Sequence, residues 1–178
     1  MAKKFFTVEV TPSIPVLAYD DNDVIGDFTV LPLPVRAGEA CLLRSITIQD
    51  RNHLNNLTLD IVFVKNINGD TELGTTGGAV DITDANLTTN TLLGVISKPG
   101  AEVATGGQFT QYSDLITNDV ITMTGVDLVL GSSNITPSAT DTAQTQTGCY
   151  FGLIARDAYD TSGLAANGLT ITFGFEVL

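Results

Sequence analysis

The sequence predicts an all-β fold, a jelly-roll-like β-sandwich of about eight to ten strands with at most one short helix. Three observations carry that prediction. Apolar residues recur with period 2 over much of the chain, Gly, Pro and Asn break those runs at irregular intervals, and no stretch sustains the 3.6-residue period of a long helix. The length of 178 residues suits one domain spanning 1–178, large enough to bury roughly 70% of the unfolded chain's surface. A hydrophobic fraction of 43% argues against disorder, and only 16% of residues are charged, so Thr, Asn, Ser and Gly supply much of the surface.

The alternation is clearest at the C-terminus, where Leu169, Ile171, Phe173, Phe175 and Val177 interleave with Thr170, Thr172, Gly174 and Glu176. Phe6, Val8 and Val10 repeat it near the start, and Val24 to Val30 reads as another strand. Cys41 to Gln49 is a further strand. Leu57 to Lys65 is apolar on one face through Leu57, Leu59, Ile61 and Phe63, and Val62 and Val64 make it apolar on the other, the mark of a central strand covered on both sides. The Asn66 to Asp70 stretch holds an Asn-Gly turn signal. More strands are expected at Leu92 to Ile96, Asp119 to Met123, Val126 to Leu130 and Gly148 to Arg156. The one helical candidate, Thr83 to Asn90, is short and Thr-rich, with Asp81 or Thr83 as cap and Asp84 placed favourably in the first turn.

Two proline-bearing segments fall outside this scheme. Thr11 to Tyr19 and Leu31 to Val35 set Pro12, Pro15, Pro32 and Pro34 among apolar residues, which makes them extended, poor in amide donors and confined to edges or connections. Their apolar residues either cross the base of their own sandwich or lie on a neighbouring subunit. Residues 1–35 are therefore read as an extended N-terminal strand and arm region. Gly131 to Gly148, by contrast, reads as a long, exposed polar loop.

The net charge of −12, from 20 acidic against 8 basic residues, repels phosphate backbones and anionic lipid, so neither nucleic acid nor a membrane is an expected partner. The local exception is Lys3 and Lys4 ahead of Phe5 and Phe6, which reads as a solvated strand start or as a basic patch for an acidic partner. No basic start followed by an apolar run marks a secretory signal, so synthesis in a cytoplasm is expected. The two cysteines, Cys41 and Cys149, sit in apolar strand-like settings and read as buried thiols, with a single bridge as the lesser alternative.

Searching for chemistry yields little. His53 is the only histidine and has no Gly-x-Ser-x-Gly partner motif; with two separated cysteines it makes no tetrahedral zinc set. Asp20, Asp21, Asn22, Asp23 and Asp27 form the densest acidic cluster but fail the EF-hand spacing. Gly74 to Gly78 and Gly106-Gly107 lack the Lys-Ser/Thr ending of a phosphate loop and read as turns. Asn56, Asn86 and Asn134 head glycosylation-type triplets that mean little without a secretory signal. The expectation is therefore a protein that is not an enzyme, with no cofactor and no metal.

From Cys41 to Leu178 the chain resembles the small β-rich virion structural proteins of tailed bacteriophages, marine phages among them, of the capsid decoration or cement type. The residues that carry the resemblance are Leu73-Gly74-Thr75, Ile82-Thr83-Asp84-Ala85 leading into Leu93-Gly94-Val95, and Tyr150 to Arg156 followed by a polar linker and the alternating last strand. The resemblance implies a virion protein that docks on the major capsid protein and on copies of itself, as a homotrimer in the favoured case, with no catalytic residues. Its expected contact residues are Lys3, Lys4, Phe5, Ile14, Pro15, Val16, Leu17, Leu31, Pro32, Leu33 and Pro34. A receptor- or glycan-binding head using Tyr112 and the loop of residues 131–148 is the alternative, and a hydrolase with converging carboxylates ranks last.

Overall fold

A computed structural model describes residues 4–50, 58–67, 72–98, 104–106, 109–113, 128–135, 146–160 and 168–178. Among the described residues thirteen strands and one helix run in the order β1 (Lys4–Val10), β2 (Ala18–Tyr19), β3 (Val24–Pro32), β4 (Ala40–Asp50), β5 (Leu59–Val64), α1 (Asp84–Asn90), β6 (Leu92–Lys98), β7 (Ala104–Gly106), β8 (Phe109–Ser113), β9 (Leu128–Gly131), β10 (Ser133–Ile135), β11 (Gln146–Ala155), β12 (Tyr159–Asp160) and β13 (Leu169–Val177). The count exceeds the expected eight to ten because β2, β7, β9, β10 and β12 are pieces of two to four residues. Runs that short show no alternation to read.

Among the described residues the strand pairings are antiparallel and build two main sheets, a β-sandwich. The first has the order β1-β13-β4-β8-β7. Ala40 to Leu43 pairs with β9 and Thr47 to Asp50 with β8, so those two short strands lie end to end along one edge of β4. The second sheet repeats the device around β11, which carries β10 at Gln146–Gly148 and β5 at Tyr150–Ala155, with β3 along its other edge and β6 beyond β5. In each sheet one long strand serves as the spine.

Alternation places the core. Leu169, Ile171, Phe173 and Phe175 of β13 face Ile61, Phe63, Phe151 and Leu153 of the opposite sheet, all buried. Phe173 is the meeting point, with ring centroids 5.2 Å from Phe151, 6.1 Å from Phe63 and 6.4 Å from Phe175. β5 is buried on both faces, as its composition predicted: Val62 and Val64 are covered as fully as Ile61 and Phe63. The segment after β5 lies over the outer face of this sheet, and Leu73 rests against Gly152 so closely that a Cβ there would stand 2.8 Å from Leu73 Cδ2.

The helix forms where the sequence places it. Thr83 is the N-cap and its hydroxyl accepts the Asn86 amide at 3.2 Å, Asp84 occupies the first turn, and Thr91 ends the helix with a left-handed φ of 58°. Gly74 and Gly77 shape the turn that follows the second spine's neighbour, and Gly74 has no room for a side chain because the Ala79 carbonyl would lie 2.9 Å from its Cβ. The expected strand at Asp119 to Met123 and His53 lie outside the described residues.

Two expectations need correction. The first concerns the proline-bearing segments. Ile14, Leu31 and Leu33 are core residues at 6%, 0% and 4% exposure, so their own sandwich covers them and they offer nothing to a partner. The Tyr19 hydroxyl donates to the Pro15 carbonyl at 2.8 Å and ties the first segment down, while the Leu33 amide donates to the Thr147 carbonyl at 3.0 Å and ties the second to β11. Because Leu33 points its amide at β11, the nitrogen of Pro32 faces the other way, where no ladder hydrogen bond is lost. The second concerns residues 131–148, which do not begin as a loop: β10 extends the spine strand β11 as a hairpin arm, and residues 136–145 lie outside the described residues.

Candidate functional site

β1 is an edge strand. It pairs with β13 from Lys4↔Val177 to Val10↔Ile171, and among the described residues no strand pairs with its other edge. The two sides of β1 behave differently along its length. Val8 and Val10 pack against the core, whereas Lys4, Phe5, Phe6 and Thr7 are all exposed. Phe5 is 65% and Phe6 43% exposed, on opposite faces of the same strand end, so a pair of aromatic side chains brackets an open row of backbone donors and acceptors.

Beside Phe5 the outer face of the first sheet holds an ion pair. Glu176, opposite Phe5, is 7% exposed, and Arg44 places Nε and a terminal nitrogen each 2.7 Å from its Oε2. A register shift between Gly174 and Phe175 inserts Arg44 as an extra residue in β4, which is what aims its side chain across to β13. Glu176 belongs to the polar set that alternates with the core residues of β13. Glu176 is instead covered, and its charge is matched rather than hydrated.

The remaining expected contact residues are dispersed. Leu17 is 38% exposed beside Gly77, Pro15 is exposed, Val16, Pro32 and Pro34 are half-buried, and Lys3 lies outside the described residues. Ile14 and Pro15 also line a surface groove of about 490 Å³ together with Ser13, Asp27, Phe28, Thr29 and Thr76. Sequence reasoning did not assemble that set, because its members come from three separate stretches of chain.

Other reactive side chains are committed to structure. Cys41 and Cys149 are free, fully buried thiols from the two facing sheets. Burial pushes Cys41 up to about 11 and Cys149 further, where the neighbouring Cys41 adds to the effect. Both are therefore held as protonated thiols, the unreactive form. Tyr19 is pushed up to about 12, chiefly by burial and secondarily by the Asp23 carboxylate. The acidic cluster folds as a turn in which the Asp20 amide donates to Asp23 Oδ2 at 2.8 Å and Asn22 takes a left-handed φ of 70°. Arg156 clips that turn to β5, donating to Asn22 Oδ1 and lying 3.3 Å from Asp60 Oδ2. Asp27 stands apart from the cluster and accepts the Leu73 amide at 2.8 Å. Among the described residues no group of three or more His, Cys, Asp or Glu side chains is arranged to hold a metal ion.

No protein-family model matches the chain, and no curated protein is detectably similar to it in sequence.

Proposed function

We propose that the chain is a non-enzymatic virion structural protein that decorates or cements a phage capsid, and that the open edge of β1 is its docking element. The observation that carries this reading is the concentration of exposed aromatic surface, Phe5 and Phe6, on a strand edge whose backbone is unpaired among the described residues. Such an edge accepts a further strand by main-chain hydrogen bonds, and the flanking aromatic residues supply area at low conformational cost. The partners in this reading are the major capsid protein and copies of the chain itself. A particle surface presents many equivalent sites, so a small contact of this kind gains from multivalency.

The test replaces the aromatic pair without touching the fold. The double variant Phe5→Ser, Phe6→Ser changes only exposed side chains and is expected to keep the circular dichroism of the parent while losing at least tenfold in occupancy on purified particles. Unchanged occupancy would overturn the role of β1. Deleting residues 1–11 is a poorer test, because it removes a whole strand from the first sheet and exposes β13.

A further inference from the structure

We propose that the groove between the Ser13–Pro15 segment and β3 is a binding site for a neutral oligosaccharide. The groove lies at an irregularity of β3: the register against β11 shifts between Thr29 and Gly26, so Asp27 and Phe28 stand together opposite Gly152, and with Thr29 they border the space beside the Ser13–Pro15 segment. Its volume, about 490 Å³, falls within the ~300–1,000 Å³ typical of small-molecule sites.

The lining matches the alternating polar and apolar surface of a sugar ring. Asp27 is fixed before any ligand arrives, because its Oδ1 accepts the amide of Leu73, itself 1% exposed and held through its carbonyl by the Asp81 and Ile82 amides. The lone pairs of Oδ2 remain to accept from ligand hydroxyls. Thr29 Oγ1 donates to the Asp27 carbonyl at 3.2 Å and so has its lone pairs left as acceptors, while the Ser13 and Thr76 hydroxyls serve in either sense. Phe28 is half-buried beside Gly152 and, with Ile14 and Pro15, supplies the apolar part of the lining. A pyranose offers C–H groups to such a lining and hydroxyls to the carboxylate.

The same lining argues against charged ligands. Among the described residues no Lys, Arg or His borders the groove, so an anion meets no counter-charge from them and faces a protein of net charge −12. Among the described lining residues, one carboxylate and three hydroxyls beside apolar walls fall short of the six to eight oxygens typical of a calcium site. Groove and β1 are separate features, and this inference does not depend on the docking role of β1.

Saturation-transfer NMR on the full chain tests it, using maltotriose, cellotriose, mannotriose and N-acetylchitotriose as neutral probes with sialyllactose and spermidine as charged controls. At least one neutral probe is expected to receive saturation, strongest at ring C–H protons. Asp27→Asn, which keeps an oxygen for the Leu73 amide, should weaken that binding at least tenfold. The surface double variant Ser13→Ala, Thr76→Ala should weaken it about threefold to tenfold, with an unaltered thermal melt. Absence of transfer to all four neutral probes, binding unaffected by both variants, or preference for either charged control would overturn the proposal.

Discussion

Replacing Phe173 with alanine removes the ring on which three other aromatic side chains converge across the two sheets. The side chain is fully buried. An aromatic side chain buries ~150–250 Å², which at ~25 cal/mol per Å² corresponds to about 4–6 kcal/mol of transfer free energy. Measured large-to-small changes at such sites run about 3–5 kcal/mol, because the cavity relaxes in part. Against a typical total of about 5–15 kcal/mol, the variant should lose about a fifth or more of its stability. Phe173→Leu keeps most of the volume and should cost only about 1–2 kcal/mol. Because the chain has no tryptophan, far-UV circular dichroism is the signal of choice for urea titrations at 25 °C, comparing midpoints at constant slope. A loss below about 1 kcal/mol for the alanine variant would refute the packing argument, since it would mean that the sheets do not meet at Phe173.

Two further perturbations probe the charged and the titratable interior. Glu176→Ala removes the carboxylate that faces the Arg44 guanidinium, itself 24% exposed, so the loss should be about 2–3 kcal/mol, below the ~3–5 of a fully buried pair, and the double variant Arg44→Met, Glu176→Leu should recover most of it in a urea-based cycle. Cys41 and Cys149 have native values raised above the ordinary 9.0, so above that pH the unfolded chain releases thiol protons that the native chain retains. Their contribution to stability is complete below pH 9 and is lost as pH rises through about 11 for Cys41 and beyond for Cys149, at up to about 1.4 kcal/mol per pH unit for each thiol. Cys41→Ala, Cys149→Ala should flatten the decline that starts near pH 9, and an unchanged decline in that variant would contradict thiol burial.

The long strands were legible because six or more residues carry a pattern, alternating in β13 and apolar on both faces in β5, and α1 because Thr83 and Asp84 are a cap and first turn in plain sequence. Short strands such as β2 and β12 were not, since two residues carry no period and their pairing of Tyr19 with Tyr159 spans the whole chain. The apolar proline segments misled for a physical reason. Proline marks missing donors and extended backbone, but it does not say whether the adjacent Ile14, Leu31 and Leu33 are covered by their own domain, and here they are. At the surface, the basic-aromatic start pointed to β1, whereas the groove was invisible because Ser13, Asp27 to Thr29 and Thr76 meet only through tertiary structure.

We propose that this chain is a stoichiometric part of a phage particle. Quantitative mass spectrometry of particles purified from cells that carry the gene measures it directly. The chain is expected at a fixed ratio to the major shell protein, retained through repeated density banding. Recovery of the chain only in the soluble lysate, with none above background in banded particles, would contradict it.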